Sequence, residues 1–214
     1  LIVFESKEIA AFHLNDLELL LPKEAVLFYP GSYRRPYEIE QTDNTNVLLR
    51  SEVLNRINSQ RKSSVIVTYH EALFEKVLSK KELNKNTLKI SVGDMLSLDF
   101  VNNVLFEYEF KRVDFVTEPG EFSIRGGIID VFSFANDTPY RIEFFGDEVE
   151  SIRTFDIASQ LSLKPYTKFQ IIPNIEHKLK HEKRVGFLDY IPQNTVVWTQ
   201  NLPALFQTTK VLFE

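Results

Sequence analysis

The sequence contains no cysteine and only four histidines among its 214 residues. The absence of cysteine excludes a disulfide framework and any thiolate metal site. The histidines show no metal-ligand spacing. The one close pair, His177 and His181, lies in a lysine-rich stretch that would repel a cation. We therefore predict no metal site in this chain.

The chain also lacks a long hydrophobic run. No uninterrupted apolar segment reaches the ~18 residues that a membrane-spanning helix needs. The opening Leu-Ile-Val-Phe has no basic segment before it, so it is not a signal peptide. It has the character of a strand buried on both faces. We expect a fragment of a longer cytoplasmic protein with no membrane association.

Glycine is scarce, and it builds no phosphate-binding loop. None of the seven glycines belongs to a GxxxxGK[ST] motif or to a glycine-rich loop before a helix. We expect no ATP binding and no cofactor within the chain, although such a loop upstream of Leu1 in a longer parent stays open. Gly126 and Gly127 lie between strand residues and are predicted to mark a β-bulge or close backbone packing.

No catalytic residue is predicted. The acidic pairs Asp147-Glu148 and Glu148-Glu150 lie in or beside a turn, without a histidine or lysine partner nearby in the sequence. Such residues are typical of turns and soluble surfaces. The spacing of serine, histidine and aspartate supports no nucleophilic triad.

An excess of basic charge is missing as well, which disfavours nucleic-acid binding. The formal net charge is −5, and residues 121–156 carry three arginines against eight acidic side chains. A DNA-binding surface usually shows a basic stripe. Arg34 and Arg35, flanked by Tyr33 and Tyr37, form the one candidate contact for a nucleic-acid backbone, and we interpret them as an ordinary surface loop.

The first part of the sequence alternates predicted strands and helices, and this pattern predicts a parallel α/β layer. Ser6 is a candidate cap for the first helix, and Pro22 ends it. His13 is interpreted as a boundary residue of that helix. Strands are predicted at 1–4, 26–29 and 64–69, helices at 6–22, 48–60 and 71–78, and a polar loop at 43–46.

Near residue 85 the pattern changes to α+β with an antiparallel sheet. A strand at 88–91 and a helix from Gly93 to about 105 precede a weakly alternating segment at 108–116 and a meander of strands at 122–132, 140–145 and 149–155. A strand at 168–172 ends the insertion, and a strand at 196–199 and a helix at 202–214 restore the α/β pattern. The predicted domains are 1–85, the inserted 86–174, and the return segment 175–214.

The middle strand of the meander has two faces of different character. Side chains alternate along a strand, so Tyr140, Ile142 and Phe144 form a core face. Arg141, Glu143 and Phe145 share the other face. Arginine beside a large aromatic is typical of a protein interface. The alternative interpretation makes Phe145 a second-layer core residue and Arg141 a surface charge.

Several segments carry a resemblance to a known family. GEFSIRGGIIDVF (120–132) and PYRIEFFGDEVESIRTFD (139–156) resemble the small inserted domain shared by the excision-repair protein UvrB and the transcription-repair coupling factors, Mfd. FYPGSYRRPYE (28–38) and KRVDFVTEPGEF (111–122) are similar to Mfd. Residues 35–65 leave no room for the long aromatic-tipped hairpin of UvrB, which favours Mfd. The resemblance implies that the α/β part is a degenerate copy of a P-loop NTPase-like helicase core.

The family supplies expectations about partners. In UvrB and Mfd the inserted domain docks UvrA, the damage-sensing ATPase, and the matching positions here are Arg125, Arg141 and Phe145. The resemblance implies a non-catalytic UvrA-recruiting module. RNA polymerase, DNA, ATP and magnesium belong to other regions of a parent translocase. The alternatives are a DNA-engaging, UvrB-like helicase fragment and a cryptic nucleotide-binding domain.

Overall fold

The computed structural model describes residues 1–22, 25–32, 43–59, 63–176 and 183–213. The chain divides into two compact units, Leu1–Glu82 with Leu179–Glu214 and Leu83–Lys178. The first contains a parallel sheet with helices and the second a mostly antiparallel six-stranded sheet. The predicted fold class, α/β with an inserted α+β part, is therefore confirmed. The loop at 33–37, His177 and His181 lie outside the described residues.

The first unit follows the strand–helix alternation expected from its sequence. Its sheet has four parallel strands, and a helix lies in the sequence between each of the first three. Its elements are β1 Ile2–Phe4, α1 Lys7–Leu20, β2 Val26–Phe28, α2 Asn44–Ser59, β3 Val65–Tyr69, α3 His70–Phe74, β4 Val77–Leu78, α4 Lys80–Lys85 at the unit boundary, β13 Arg184–Val185, α6 Phe187–Tyr190, β14 Trp198–Thr199 and α7 Leu202–Phe213. The order of the parallel strands is β14-β1-β3-β2.

The predicted cap and end of α1 are confirmed. The Oγ of Ser6 accepts a hydrogen bond from the Ile9 amide at 3.3 Å, and α1 ends at Leu20, before Pro22. His13 is half-buried and stacks on Phe4, as expected of a boundary residue. Phe12 and Leu20 of the same helix are exposed.

Two predictions in this unit are wrong at element ends. Residues 43–46 are not a loop, because α2 begins at Asn44. The Oδ1 of Asp43 accepts from the Thr45 amide at 2.9 Å, so this polar run is a helix start. The helix predicted at 71–78 stops at Phe74, and β4 follows. β4 pairs with β13, more than a hundred residues later, a contact that has no local signal.

The second unit is built around the meander. Its elements are β5 Leu88–Ser91, α5 Leu98–Glu107, β6 Lys111–Arg112, β7 Glu121–Arg125, β8 Ile128–Val131, β9 Tyr140–Phe145, β10 Glu148–Phe155, β11 Ser162–Tyr166 and β12 Lys168–Ile171. The sheet order is β11-β10-β9-β8-β7-β6, antiparallel except for the parallel β6–β7 pair, and β5 pairs separately with β12.

One face of this sheet forms the core of the unit. Ile129, Ile142 and Ile152 pair across three strands and are all but fully buried. α5 covers this face, since Phe106 meets the ring of Phe122 edge-on at 5.3 Å. Tyr140 stacks on an aromatic of β12 at 4.4 Å, and burial raises the pKa of its hydroxyl to about 12. The opposite face of the sheet is therefore the one available for function.

The strand predicted at 122–132 is in fact two strands. Gly126, with a φ of 58°, and Gly127 form the turn of the β7–β8 hairpin rather than a bulge. The register shift of the meander lies in β10, between Val149 and Ser151. Two adjacent glycines between short apolar runs are a hairpin signal, so the predicted bulge is wrong. The close backbone packing predicted as its alternative is confirmed at Gly127, where an added Cβ would lie 2.9 Å from the Phe144 carbonyl oxygen.

Three further differences affect shorter segments. The helix predicted from Gly93 begins at Leu98, because residues before it bond to the start of β10; the Leu96 amide donates to the Asp147 carbonyl at 2.8 Å. Within 108–116 only β6 is a strand. β11 was not predicted, since its exposed Ser-Leu-Lys-Pro-Tyr sequence has no strand pattern and depends on pairing with β10.

Candidate protein-docking surface

The candidate site occupies the sheet face opposite the core. On β9 the predicted alternation is confirmed: Tyr140, Ile142 and Phe144 are buried, whereas Arg141 and Glu143 are half-buried. Phe145 is 77% exposed. The alternative interpretation of Phe145 as a core residue is therefore wrong in this chain. We call this face, defined by Arg125, Asp130, Arg141, Glu143, Phe145 and Arg153, the docking face.

Arg141 is not a free surface charge. Its Nε and one terminal nitrogen bind the two carboxylate oxygens of Asp130 at 2.7 and 2.9 Å. Its other terminal nitrogen donates to the Gln160 carbonyl at 3.2 Å, and its guanidinium lies 4.9 Å from the ring centre of Phe155. The side chain is 14% exposed and that of Asp130 only 1%. The carboxylate of Asp130 raises the pKa of Arg141 above its ordinary value.

Arg125 shares the same carboxylate. One of its terminal nitrogens also bonds to Asp130, and the other donates to the Asp114 carbonyl at 3.3 Å. Its side chain is 42% exposed. The pairing of β7 with β8, and of β8 with β9, supplies the register that the sequence could not. The structure thus brings Arg125 and Arg141 together on one buried carboxylate.

Phe145 lies at the end of β9, beside two turns. It pairs across the strand with Glu148, just after the Gly146-Asp147 turn. The Phe144 amide donates to the Gly127 carbonyl at 2.8 Å, so the tip of the β7–β8 hairpin lies alongside this end of β9. The exposed ring is therefore carried by hydrogen-bonded backbone on both sides.

A second ion pair completes the docking face. Glu143 bonds to Arg153 on β10, and its Oε2 accepts from the Ser151 hydroxyl at 2.7 Å. This pair carries no net charge, whereas Asp130 with its two arginines carries one positive charge. Sequence reasoning missed the roles of Asp130, Glu143 and Arg153. Alternation along β8 shows whether Asp130 lies on the core face or on the docking face only once the register of the β7–β8 hairpin is known.

Among the described residues, no group of histidine, aspartate and glutamate side chains is arranged to hold a metal ion. The acidic residues at 147–150 flank the turn into β10, as expected, and Glu148 and Glu150 are exposed. Within the same described ranges, no helix is both long and apolar enough to cross a bilayer.

The docking face offers paired arginines and an exposed aromatic, which suit a protein partner that carries a carboxylate.

Comparison with known families gives the class of protein. Residues 88–177 match the family model of the UvrB interaction domain, so the docking face belongs to a domain of that class. The transcription-repair-coupling factor of Bacillus subtilis is 32% identical over 191 residues, and that of Myxococcus xanthus is 32% identical over 166 residues. The chain is homologous to the N-terminal region of the transcription-repair-coupling factors.

Each match covers most of this chain but only a small part of the relative. The B. subtilis match covers 89% of this chain and 16% of the relative. The M. xanthus match covers 78% and 14%. The protein from Escherichia coli is 29% identical over 138 residues, which cover 64% of this chain and 12% of the relative. The chain therefore spans less than a fifth of the length of these relatives.

Proposed function

We propose that the chain recruits UvrA to a transcription-repair-coupling factor during nucleotide excision repair, with 86–174 as the docking domain. The docking residues are Arg125, Arg141 and Phe145. The observation that carries the proposal is the exposed Phe145 on the same face of β9 as Arg141, which shares the carboxylate of Asp130 with Arg125. The three docking residues are the positions at which the family resemblance implies UvrA contacts.

The charge of the docking face supports a carboxylate-bearing partner. Asp130 neutralises one of its two arginines, so one positive charge remains on the face. Arginine fork geometry matches a carboxylate in two parallel hydrogen bonds. Phe145 supplies apolar area on the same face of the sheet, since an aromatic side chain buries roughly 150–250 Å². An aromatic with an arginine is the composition of an interface hot spot.

The two arginines have different tasks in this proposal. Arg141 is largely enclosed and uses all three of its nitrogens within the chain. Arg125 is three times as exposed, at 42% against 14%. Arg125 is therefore the donor to the partner's carboxylate, and Arg141 holds the carboxylate of Asp130 that orients it. The sheet backbone pre-organises both, which lowers the entropy lost on binding.

The same proposal assigns no catalysis to this chain. The sequence has no phosphate-binding loop, and the described residues show no metal cluster. In this account, ATP hydrolysis, DNA translocation and RNA polymerase binding belong to the remaining four-fifths or more of the parent protein. The docking domain contributes recognition only.

A binding titration with purified UvrA tests the proposal. Phe145→Ala and Arg125→Ala should each weaken binding by about 30-fold, equivalent to about 2 kcal/mol, because they remove central interface groups. Arg141→Ala should weaken it similarly. Glu150→Ala is the control: its side chain is exposed in the β10 bulge and is a member of neither ion-pair cluster, and binding should stay within about twofold.

Circular dichroism of each variant separates lost contacts from lost folding. Wild-type affinity in both Phe145→Ala and Arg125→Ala would show that the docking face is wrong. Absence of any UvrA binding by the unmodified chain would contradict the proposed function itself.

A further inference from the structure

Phe115 is an exposed aromatic that directly precedes a buried valine. The segment joins β6 to β7. Val116 is fully buried in a small cluster with Phe132 and Phe155, and Val113 packs against that cluster. Phe115 stays 61% exposed. Packing the segment therefore uses the two valines and leaves the largest apolar side chain outside.

The backbone around Phe115 is fixed on both sides. The Val113 amide donates to the Phe122 carbonyl at 2.9 Å, and the Ser123 hydroxyl donates to the Asp114 carbonyl at 3.1 Å. On the other side, the Thr117 amide donates to Glu121 at 2.9 Å. An aromatic on such a restrained segment is pre-organised for contact, so little conformational entropy is lost when a partner covers it.

Phe115 is continuous with the docking face. The guanidinium of Arg125 lies 5.6 Å from its ring centre, within the range of a cation–π contact. Arg125 reaches Asp130, which binds Arg141, which lies over Phe155. Phe115 is thus the exposed end of a row of contacts in which two aromatic rings flank three charged side chains. Arg125 lies between this ring and the rest of the docking face.

We propose that Phe115 is a second aromatic anchor for the same partner. This inference rests on the proposed function, and it extends the docking face beyond Arg125 to the β6–β7 segment. UvrA then presents a carboxylate to Arg125 and an apolar pocket that takes the ring of Phe115, in addition to the contact with Phe145. The excess positive charge between the rings fits this arrangement.

A double-mutant cycle with UvrA tests direct contact. Phe115→Ala should weaken binding by about tenfold, and Phe115→Tyr, which keeps the ring, should restore most of it. In an Arg125→Ala background, Phe115→Ala should still weaken binding by at least about threefold, because the ring touches the partner itself. The matched control is Phe100→Ala, an exposed phenylalanine on α5, which covers the opposite face; it should bind UvrA like wild type.

Each other outcome overturns the inference in a recognisable way. If Phe145→Ala loses affinity and Phe115→Ala does not, the second anchor is wrong while the proposed function stands. If Phe115→Ala has no effect in the Arg125→Ala background, the ring acts only by holding Arg125. If Phe115→Ala abolishes self-association of the chain and leaves UvrA binding unchanged, the ring belongs to an interface between two copies. If the unmodified chain binds no UvrA, both proposals fail.

Discussion

The side chain of Asp130 is a buried carboxylate, only 1% exposed. Removing a charge from water costs several kcal/mol unless strong partners replace the lost solvation. Here two guanidinium groups do so, and Arg141 binds both carboxylate oxygens. The ion-pair cluster is thus a structural requirement of the fold as well as a candidate contact for a partner.

The two arginines should differ in their effect on stability. Arg141→Ala removes the bidentate partner of a buried carboxylate, and we expect it to lower the free energy of unfolding by about 2 kcal/mol or more. Arg125→Ala leaves that pair intact and removes a more exposed side chain, so it should cost less than about 1 kcal/mol. Urea denaturation of both variants measures the difference.

Equal destabilisation by Arg125→Ala and Arg141→Ala would contradict this division of roles. The expectation also makes Arg125→Ala the cleaner binding variant. Its loss of UvrA affinity would arise without a change in folding, whereas a loss in Arg141→Ala needs correction for any unfolded fraction.

At the residue scale, the sequence predicted which side chains share a face of β9, but not which side chains of neighbouring strands bind them. The strict period of two along a strand was enough to place Arg141 and Phe145 on one side and Ile142 on the other. The carboxylate that binds Arg141 comes from β8, and its identity depends on how the strands align. Register is set by turn geometry and packing rather than by one strand's pattern, so Asp130 was not foreseen.

At the scale of elements, the β7–β8 hairpin connects the arginines to the end of β9. Its second turn residue, Gly127, has no space for a side chain, because an added Cβ would lie 2.9 Å from the Phe144 carbonyl oxygen. Phe144 precedes the exposed Phe145. A displacement of the hairpin tip would therefore move both Arg125 and the backbone that carries Phe145.

Gly127→Ala should lower the free energy of unfolding by about 1–3 kcal/mol, as expected for an overpacked site. It should also weaken UvrA binding, although residue 127 has no side chain of its own for contact. The comparison variant is Gly126→Asn. Gly126 has a φ of 58° and open space around it, and asparagine tolerates that conformation. If Gly127→Ala denatured at the same temperature as the wild-type chain, residue 127 would have room for a side chain, and the close approach of the Phe144 carbonyl would be refuted.

Elements were predicted best where the pattern was local. The bounds of β5 and β9 were obtained from sequence as the structure has them. β4 has no local signal because it forms by pairing with a strand more than a hundred residues later, and β11 has none because its own exposed sequence lacks a strand pattern and depends on pairing with β10. The start of α2 was misjudged because capping residues and loop residues are the same polar types.

At the scale of the whole molecule, charge is unevenly distributed. The chain has a formal net charge of −5, whereas the two ion-pair clusters of the docking face together carry one net positive charge. The negative net charge of the protein repels the phosphate backbone of DNA, whereas a single local positive charge suits one carboxylate of a protein partner. This contrast is the physical reason for preferring a protein partner over DNA.

The absence of cysteine permits a direct measurement of the docking face. A single thiol introduced by Glu148→Cys lies opposite Phe145 on the neighbouring strand, and one introduced by Phe100→Cys lies on α5, over the opposite face. Alkylation of each thiol is followed by mass spectrometry with and without saturating UvrA. We predict that UvrA slows alkylation at position 148 by about tenfold or more, because burial excludes the reagent, and leaves position 100 unchanged. Equal rates at position 148 with and without UvrA, or protection at position 100 alone, would contradict the proposed docking face.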